Sequence, residues 1–561
     1  MSQGERFGLL QNTKLPRSDS AKDESGQDHF KSRVGLVLSC LGCVIGTGNI
    51  WRFPRIVAQN SEEKGGLVFL MVWVLFLFLW SIPMLLIEYT MGRYTKTAIV
   101  QSFRFFIGNK ATWCGAWVSF VPFAINSYYS VVLGWCFYYT YYCIGYELPT
   151  TNLDSRVIFD DFAVNSYWPI LTHSIAILIA GVSVIRGVKT IEKVNLFLVP
   201  LFLLIVLFTF TWSLTRKYAD LGIRFLFTPS WDAFSDPRVW VDAISQNAFD
   251  TGAGMGMMIT YASYMTRSNS VVKYGTLIPV GNNIVSLICG ITVFSTVFSS
   301  LALSQPHLSQ SGIVDILKDS GPASTGLTFI WIPVLFSTVG VFGRVLAVLF
   351  FLCLSFAGVT SLIAGMELNA HTFYDFGIPR RYGMPISVVL LFLGGLASAL
   401  DINFLTSQDF VWGFALIVNG MFLQFLVIYF GSSRYREYVV NRYGLDDWNL
   451  PFIWEITVKF VAPIEALALM IWWAVDLITS EARNGQKWYE FGTETFITTI
   501  TQWLGVMVVM VILNVIILCV KPRWFKPASE RPLEISYDTS FKTYDSLTQR
   551  ETNFGNSEGR R

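Results

Sequence analysis

Long apolar runs, each ended by a short polar or charged connection, set the pattern of this chain. At roughly 17 to 25 apolar residues per crossing, they predict an all-α polytopic membrane protein with about twelve transmembrane helices. These are expected at approximately 33–57, 66–92, 115–145, 167–186, 191–214, 238–265, 271–303, 342–374, 382–400, 409–432, 453–479 and 494–520. The polar, Ser/Thr-rich ends, 1–32 and 522–561, lack apolar periodicity and are expected to be disordered cytosolic tails.

Two of the runs are interrupted. In the first, GCVIGTGNIWRFP (Gly42 to Pro54) sets three glycines and an asparagine at membrane depth; in the sixth, Phe249-Asp250-Thr251-Gly252-Ala253-Gly254-Met255-Gly256 repeats the device. Unpaired backbone is tolerated at that depth only where protein buries it or it lines a polar cavity. One such cluster is explained by close helix packing. Two clusters five helices apart, each with a polar residue at the break, point to an inverted-repeat secondary transporter with its site between the repeats. The expected division is helices 1–5 at 33–214, helices 6–10 at 215–436 and two further helices at 437–521.

Composition agrees: 53% of residues are hydrophobic and 14% charged, a membrane profile, and a net charge of +2 gives no argument for nucleic acid. Position carries more than total. Arg93, Lys96, Arg104, Lys110, Arg186, Lys189, Arg267, Lys273, Arg380, Arg381, Arg434, Arg436 and Arg442 all fall on one side of the bilayer under this count. That side is predicted to be cytosolic, and an even helix number puts both termini there. The opposite connection 146–166 carries Glu147, Asp154, Asp160 and Asp161 against Arg156. The eight cysteines and four histidines show no ligand spacing, so the cysteines are expected to be small buried apolar residues. No phosphate-binding loop or nucleophile–base pair occurs, so neither an enzyme nor an ATP-driven pump is expected. Glu5 to Leu10, ERFGLL, resembles an endolysosomal sorting signal, which sets endosomal or lysosomal membrane beside the plasma membrane as an expected location.

Six segments in order, GxGNxWRFP from Gly46, IEYTMGR at 87–93, SYYSVVLGW at 127–135, TPSWDAFSDPRVW at 228–240, ITYASY at 259–264 and SFAGVTS at 355–361, resemble the neurotransmitter:sodium symporter family. The resemblance covers about 33–520 and implies the fold of the bacterial leucine transporter, five plus five inverted helices with helices 1 and 6 broken. It implies sodium-coupled symport of amino acids by alternating access, with two sodium ions. One ion maps to Gly42, Ile45, Ala357, Thr360 and Ser361, the other to Val44, Asn49, Asp250 and Asn282.

Asp250 departs from the family, which carries Thr or Ser there. The chloride site of animal members resembles Gln246, Asp250, Asn282, Ser286 and Trp73, but the family tyrosine is replaced by Trp73. A fixed carboxylate at Asp250 is expected to stand in for chloride; a proton carried by Asp250 is the competing reading. The substrate carboxylate is expected at half-helix amides near Cys43, Val44, Thr47 and Gly48 and at the Tyr129 hydroxyl. The amine is expected at carbonyls near Phe249 and Gly252 and at Ser361. Monoamine transporters of the family have Asp where Gly46 stands, so its absence favours amino acids. Ile125, Phe249, Gly252, Met255 and Gly365 are expected to wall a pocket for a large neutral side chain. Arg52 with Asp409 resembles the outer gate. Tyr264 with Asp375 resembles the inner one, where the family arginine falls at Gln27 and its tryptophan at Phe30, leaving Lys31 or Arg33 as substitutes. A non-transporting amino-acid sensor using the same site is the rival from another class.

Overall fold

The computed structural model describes residues 29–318, 325–479 and 486–520; the expected tails apart from 29–32, with the Glu5–Leu10 pattern and Gln27, lie outside the described residues. Nine helices among the described residues are long and apolar enough to cross a membrane: α2 (Leu67–Thr95), α3 (Asn109–Gly145), α5 (Val188–Leu214), α7 (Val271–Ser304), α8 (Val341–Asp375), α9 (Arg380–Leu400), α10 (Ile402–Phe430), α11 (Phe452–Thr479) and α12 (Phe496–Val520). Shorter or interrupted helices stand at the other three expected positions. The first, α1, is built from Arg33–Val44, Thr47–Ile50 and Arg52–Gln59; α4 is Trp168–Val184; and α6 is the pair Pro237–Thr251 and Met257–Ser263.

Short helices outside the spans, Ile99–Ile107, Asn152–Ala163, Ala219–Phe227 and Gln310–Lys318, were not expected from the apolar runs. The helix Asn152–Ala163 meets α4 at 70°. The tenth span begins at Ile402, several residues before its expected start, because the Asp401 side chain accepts from the Asn403 amide at 2.8 Å and caps the helix.

The layering follows from burial. α3 and α8 pack along each other, α5 lies against both α1 and α8, and the second half of α6 lies against α2. In the most apolar stretch of α11 only 22% of residues are buried, and in α12 only 6%, which marks these two as lipid-facing additions to a ten-helix core. Seven cysteines are buried as expected; Cys519, near the end of α12, is instead exposed because that helix has little protein around it.

Candidate substrate and ion site at the helix breaks

The first break is narrower than its three glycines suggest. Helix Arg33–Val44 ends at Ile45, whose backbone turns extended, and Gly46 is extended as well. Gly42 and Gly48 lie within helical turns. A Cβ on Gly42 would come within 2.7 Å of Val199, and one on Gly48 within 3.0 Å of Phe249, so these two glycines are required by close packing. Gly46 alone marks the opening: its amide donates to the Asn49 side chain at 2.8 Å, and the Thr47 amide and hydroxyl reach the Tyr129 hydroxyl at 3.3 and 3.1 Å.

The direction of the half-helices corrects one expectation. Cys43 and Val44 close a helix at its C-terminus, which leaves carbonyls unpaired, whereas amides are freed only beyond Gly46. Ser361 accordingly donates toward Cys43 and Gly42 carbonyls at 3.4 and 3.5 Å. Thr360 donates back to the Ala357 carbonyl of its own helix at 2.9 Å.

In the second break Gly252, Gly254 and Gly256 all take positive φ, of 67°, 90° and 70°. Two polar side chains hold this backbone. Glu88 of α2 accepts from the Gly254 and Met258 amides at 2.8 and 3.3 Å, and Asn419 of α10 donates to the Gly254 carbonyl at 2.9 Å. Sequence reading gave neither a role. A lone acid in an apolar helix was the available signal, since an ionised side chain at mid-membrane without a task costs about 2.5–3.5 kcal/mol.

Between the breaks, Asp250 is 1% exposed. Its carboxylate accepts from Gln246 at 2.6 Å and from Ser286 at 3.2 Å. Ser286 in turn accepts from Asn49 at 2.8 Å, and Asn49 also donates to the Asn282 side chain at 2.8 Å. The same end of the Asn282 carboxamide lies 3.2 Å from both the Val44 and Asp250 carbonyl oxygens. With its nitrogen there it donates to both; with its oxygen there, three oxygens converge with no proton between them. Trp73 sits outside this net, packed on Phe53 at 4.6 Å between ring centres, and its indole N–H has no partner among the described residues.

A cavity of about 40 Å³ joins the breaks. Cys43, Val44, Gly48, Ile125, Tyr129, Phe249, Gly252, Met255 and Ser361 line it, as expected of substrate-facing residues, together with Asn49 and Asp250 and the unexpected Asn126 and Met257. Thr47 is not part of the wall, and Gly365 is screened: a Cβ there would lie 2.2 Å from the Asn126 amide, which fills the space instead. At about 10–15 Å³ per water the cavity has room for a few waters.

At the opposite end of the bundle from Arg33, the Arg52 guanidinium stacks over Phe249 at 4.5 Å. Arg52 and Asp409 form no ion pair within 4.0 Å, so the expected gate charges are apart here. At the Arg33 end, Asp375 accepts from the Ala98 amide at 2.5 Å and lies 3.6 Å from His371. The backbone amides of Lys31 and Ser32 donate to Glu192, each at 2.9 Å. Phe30 meets Tyr261 and Tyr264 edge-on at 6.1 and 6.5 Å. Tyr264 donates to Glu367 and lies 2.8 Å from His371, while Arg380 forms an ion pair with Glu367 and donates to the Val184 carbonyl at 2.6 Å. Glu367 and His371 had no expected role at this end, and Arg380 was expected only as one of its cytosolic charges.

The profile of the Sodium:neurotransmitter symporter family matches residues 27–167 and 160–523. An uncharacterized sodium-dependent transporter of Methanocaldococcus jannaschii is 27% identical over 476 residues, covering 81% of this chain and 92% of that protein. The sodium-dependent serotonin transporter of Drosophila melanogaster is 23% identical, covering 83% and 79%. The crystal structure of MhsT in complex with L-phenylalanine superposes with a TM-score of 0.67 at 27% identity, covering 80% of this chain and 99% of that one. This chain is therefore a multi-pass membrane carrier rather than an enzyme, and it belongs to the sodium:neurotransmitter symporter family.

Proposed function

We propose that the protein is a sodium-coupled symporter of large neutral amino acids, working by alternating access with two sodium ions and without chloride. The observation that carries this reading is the convergence of the Val44 and Asp250 carbonyls on the Asn282 carboxamide, beside a carboxylate held only by neutral donors. Such a set suits a small hard cation. Val44, Asn49, Asp250 and Asn282 would hold one sodium ion. The carbonyls of Gly42, Ile45 and Ala357 with the hydroxyls of Thr360 and Ser361 would hold the other.

The substrate carboxylate would lie between the Tyr129 hydroxyl and the amides beyond Gly46, and the amine against carbonyls at the end of helix Pro237–Thr251. Gly46 supports an amino acid over an amine, because no side-chain carboxylate stands there to pair a lone ammonium. The phenylalanine bound by MhsT supports a large neutral side chain. The Gln246 and Ser286 donors that a chloride ion would need are spent on Asp250, which supports chloride independence. A proton-coupled variant draws on the same fact, that no cationic side chain bonds to Asp250.

The charge of the connections supports cytosolic termini, with Arg52 and Asp409 as an outer gate and Tyr264 and Asp375 in the inner one. The plasma membrane is the proposed location. Uptake of labelled phenylalanine, leucine, tryptophan and serotonin into proteoliposomes under a sodium gradient, with chloride replaced by gluconate, is the test. Sodium-driven accumulation of an amino acid is expected. Accumulation of serotonin alone, or saturable binding with no flux, would overturn the proposal.

A further inference from the structure

The largest cavity among those described lies away from the helix breaks. It is a groove of about 670 Å³ on the side of the bundle, between α2, the stretch leading into α6, and α11. Phe76, Phe234, Trp240, Phe460 and Trp472 supply aromatic walls. The Trp240 indole is fixed by donating to the Phe234 carbonyl at 3.0 Å and meets Phe76 edge-on at 6.1 Å. Both long helices depart from α-helical winding here: π-helical turns at Leu77–Ser81 and Thr457–Val461 each precede a proline, Pro83 and Pro463, which offers no amide to the preceding turn.

One polar side chain stands out in this lining. Glu465 sits midway along the 28-residue α11, and both of its carboxylate oxygens are out of solvent with no hydrogen-bond partner among the described residues. An acid at that depth without a partner is costly. The same helix shows what such an acid needs: Asp476, about 16 Å further along and on the same face at three turns' spacing, pairs with Arg238 at 3.2 Å. Among the described residues no cation reaches Glu465.

We propose that this groove binds a membrane-dissolved lipophilic amine, its apolar body against the aromatic walls and its ammonium met by Glu465, whose carboxylate turns from its covered position into the groove as the ligand enters. The volume falls within the range of about 300–1,000 Å³ typical of small-molecule sites. Aromatic faces add attraction for an ammonium on top of the carboxylate. Because the groove opens on the lipid-facing side of α11, the ligand enters from the bilayer rather than from the transport path.

The test uses the full-length protein in phosphatidylcholine nanodiscs and a dodecylamine carrying a diazirine, with adducts mapped by mass spectrometry. Labelling should saturate on Leu75–Leu79 and Phe460–Trp472, and unlabelled dodecylamine should compete at least tenfold better than dodecanol. Glu465→Gln should abolish that tenfold preference. Ala468→Trp, which fills the groove and leaves Glu465 in place, should block labelling and carries the test if the glutamine variant does not fold. Adducts spread evenly over lipid-facing helices, equal competition by the alcohol, or an unchanged preference in Glu465→Gln would each overturn the proposal.

Discussion

With Asp250 standing in for chloride as proposed, its replacement by serine should make transport depend on chloride. In the native protein the Gln246 amide at 2.6 Å and the Ser286 hydroxyl at 3.2 Å both donate to the Asp250 carboxylate. An anion accepting from the same two donors would lie about 4 Å from that charge, where like charges repel by about 4 kcal/mol at an effective dielectric near 20. That is close to a 1,000-fold loss of chloride affinity, since each 1.4 kcal/mol is about tenfold. In Asp250→Ser the repulsion is gone and both donors are left without their acceptor, an incentive of about 1–3 kcal/mol to recruit another. The assay is initial sodium-driven uptake in proteoliposomes with chloride or gluconate on both sides. Native uptake should change less than twofold between the two anions, and that of Asp250→Ser should fall at least tenfold in gluconate. A native protein that needs chloride, or a serine variant equally active in both anions, would refute the argument.

Three further outcomes are expected. Glu88→Gln leaves one carbonyl oxygen for two amides, so the α6 break should loosen and thermal stability should fall by about 1–3 kcal/mol, read as a lower unfolding midpoint in detergent. Gly46→Asp would put a carboxylate beside the substrate's own; the new Cβ alone would be 3.0 Å from the Ser361 hydroxyl and 3.3 Å from Tyr129, so amino-acid uptake should drop at least 100-fold while the protein still folds. Glu367→Gln uncouples a fully buried acid from Arg380, whose side chain is 25% exposed, and should cost about 3 kcal/mol, the low end for a broken buried pair. The glutamine keeps one acceptor oxygen where Glu367 served both Arg380 and Tyr264 with two, so the Tyr264 bond should weaken and alkylation of a cysteine placed at Phe30 should speed up; an unchanged rate would mean that the Tyr264 bond does not hold this end closed.

The apolar pattern of the chain was enough for the helical membrane fold, the two broken helices and the family, because each of these is a property of local sequence. An apolar run long enough to cross a bilayer is countable, and glycine clusters inside such runs are rare enough to be informative. Local pattern stops there. It could not say that Gly42 and Gly48 are small because Val199 and Phe249 press on them, nor that the break itself falls at Ile45 and Gly46. Nor could it tell that Asn126 fills the space opened by Gly365, since the two lie on different helices. Glu88 meets the Gly254 amide across 166 residues and Tyr264 meets Glu367 across 103, and in sequence each acid is one polar letter in an apolar run. Only the packed bundle supplies partners for such groups, and it leaves Glu465 without one. The reason is the same in every case: in a membrane interior a polar group must be answered from within the protein or by a ligand, and which one answers is fixed by how helices distant in sequence come together.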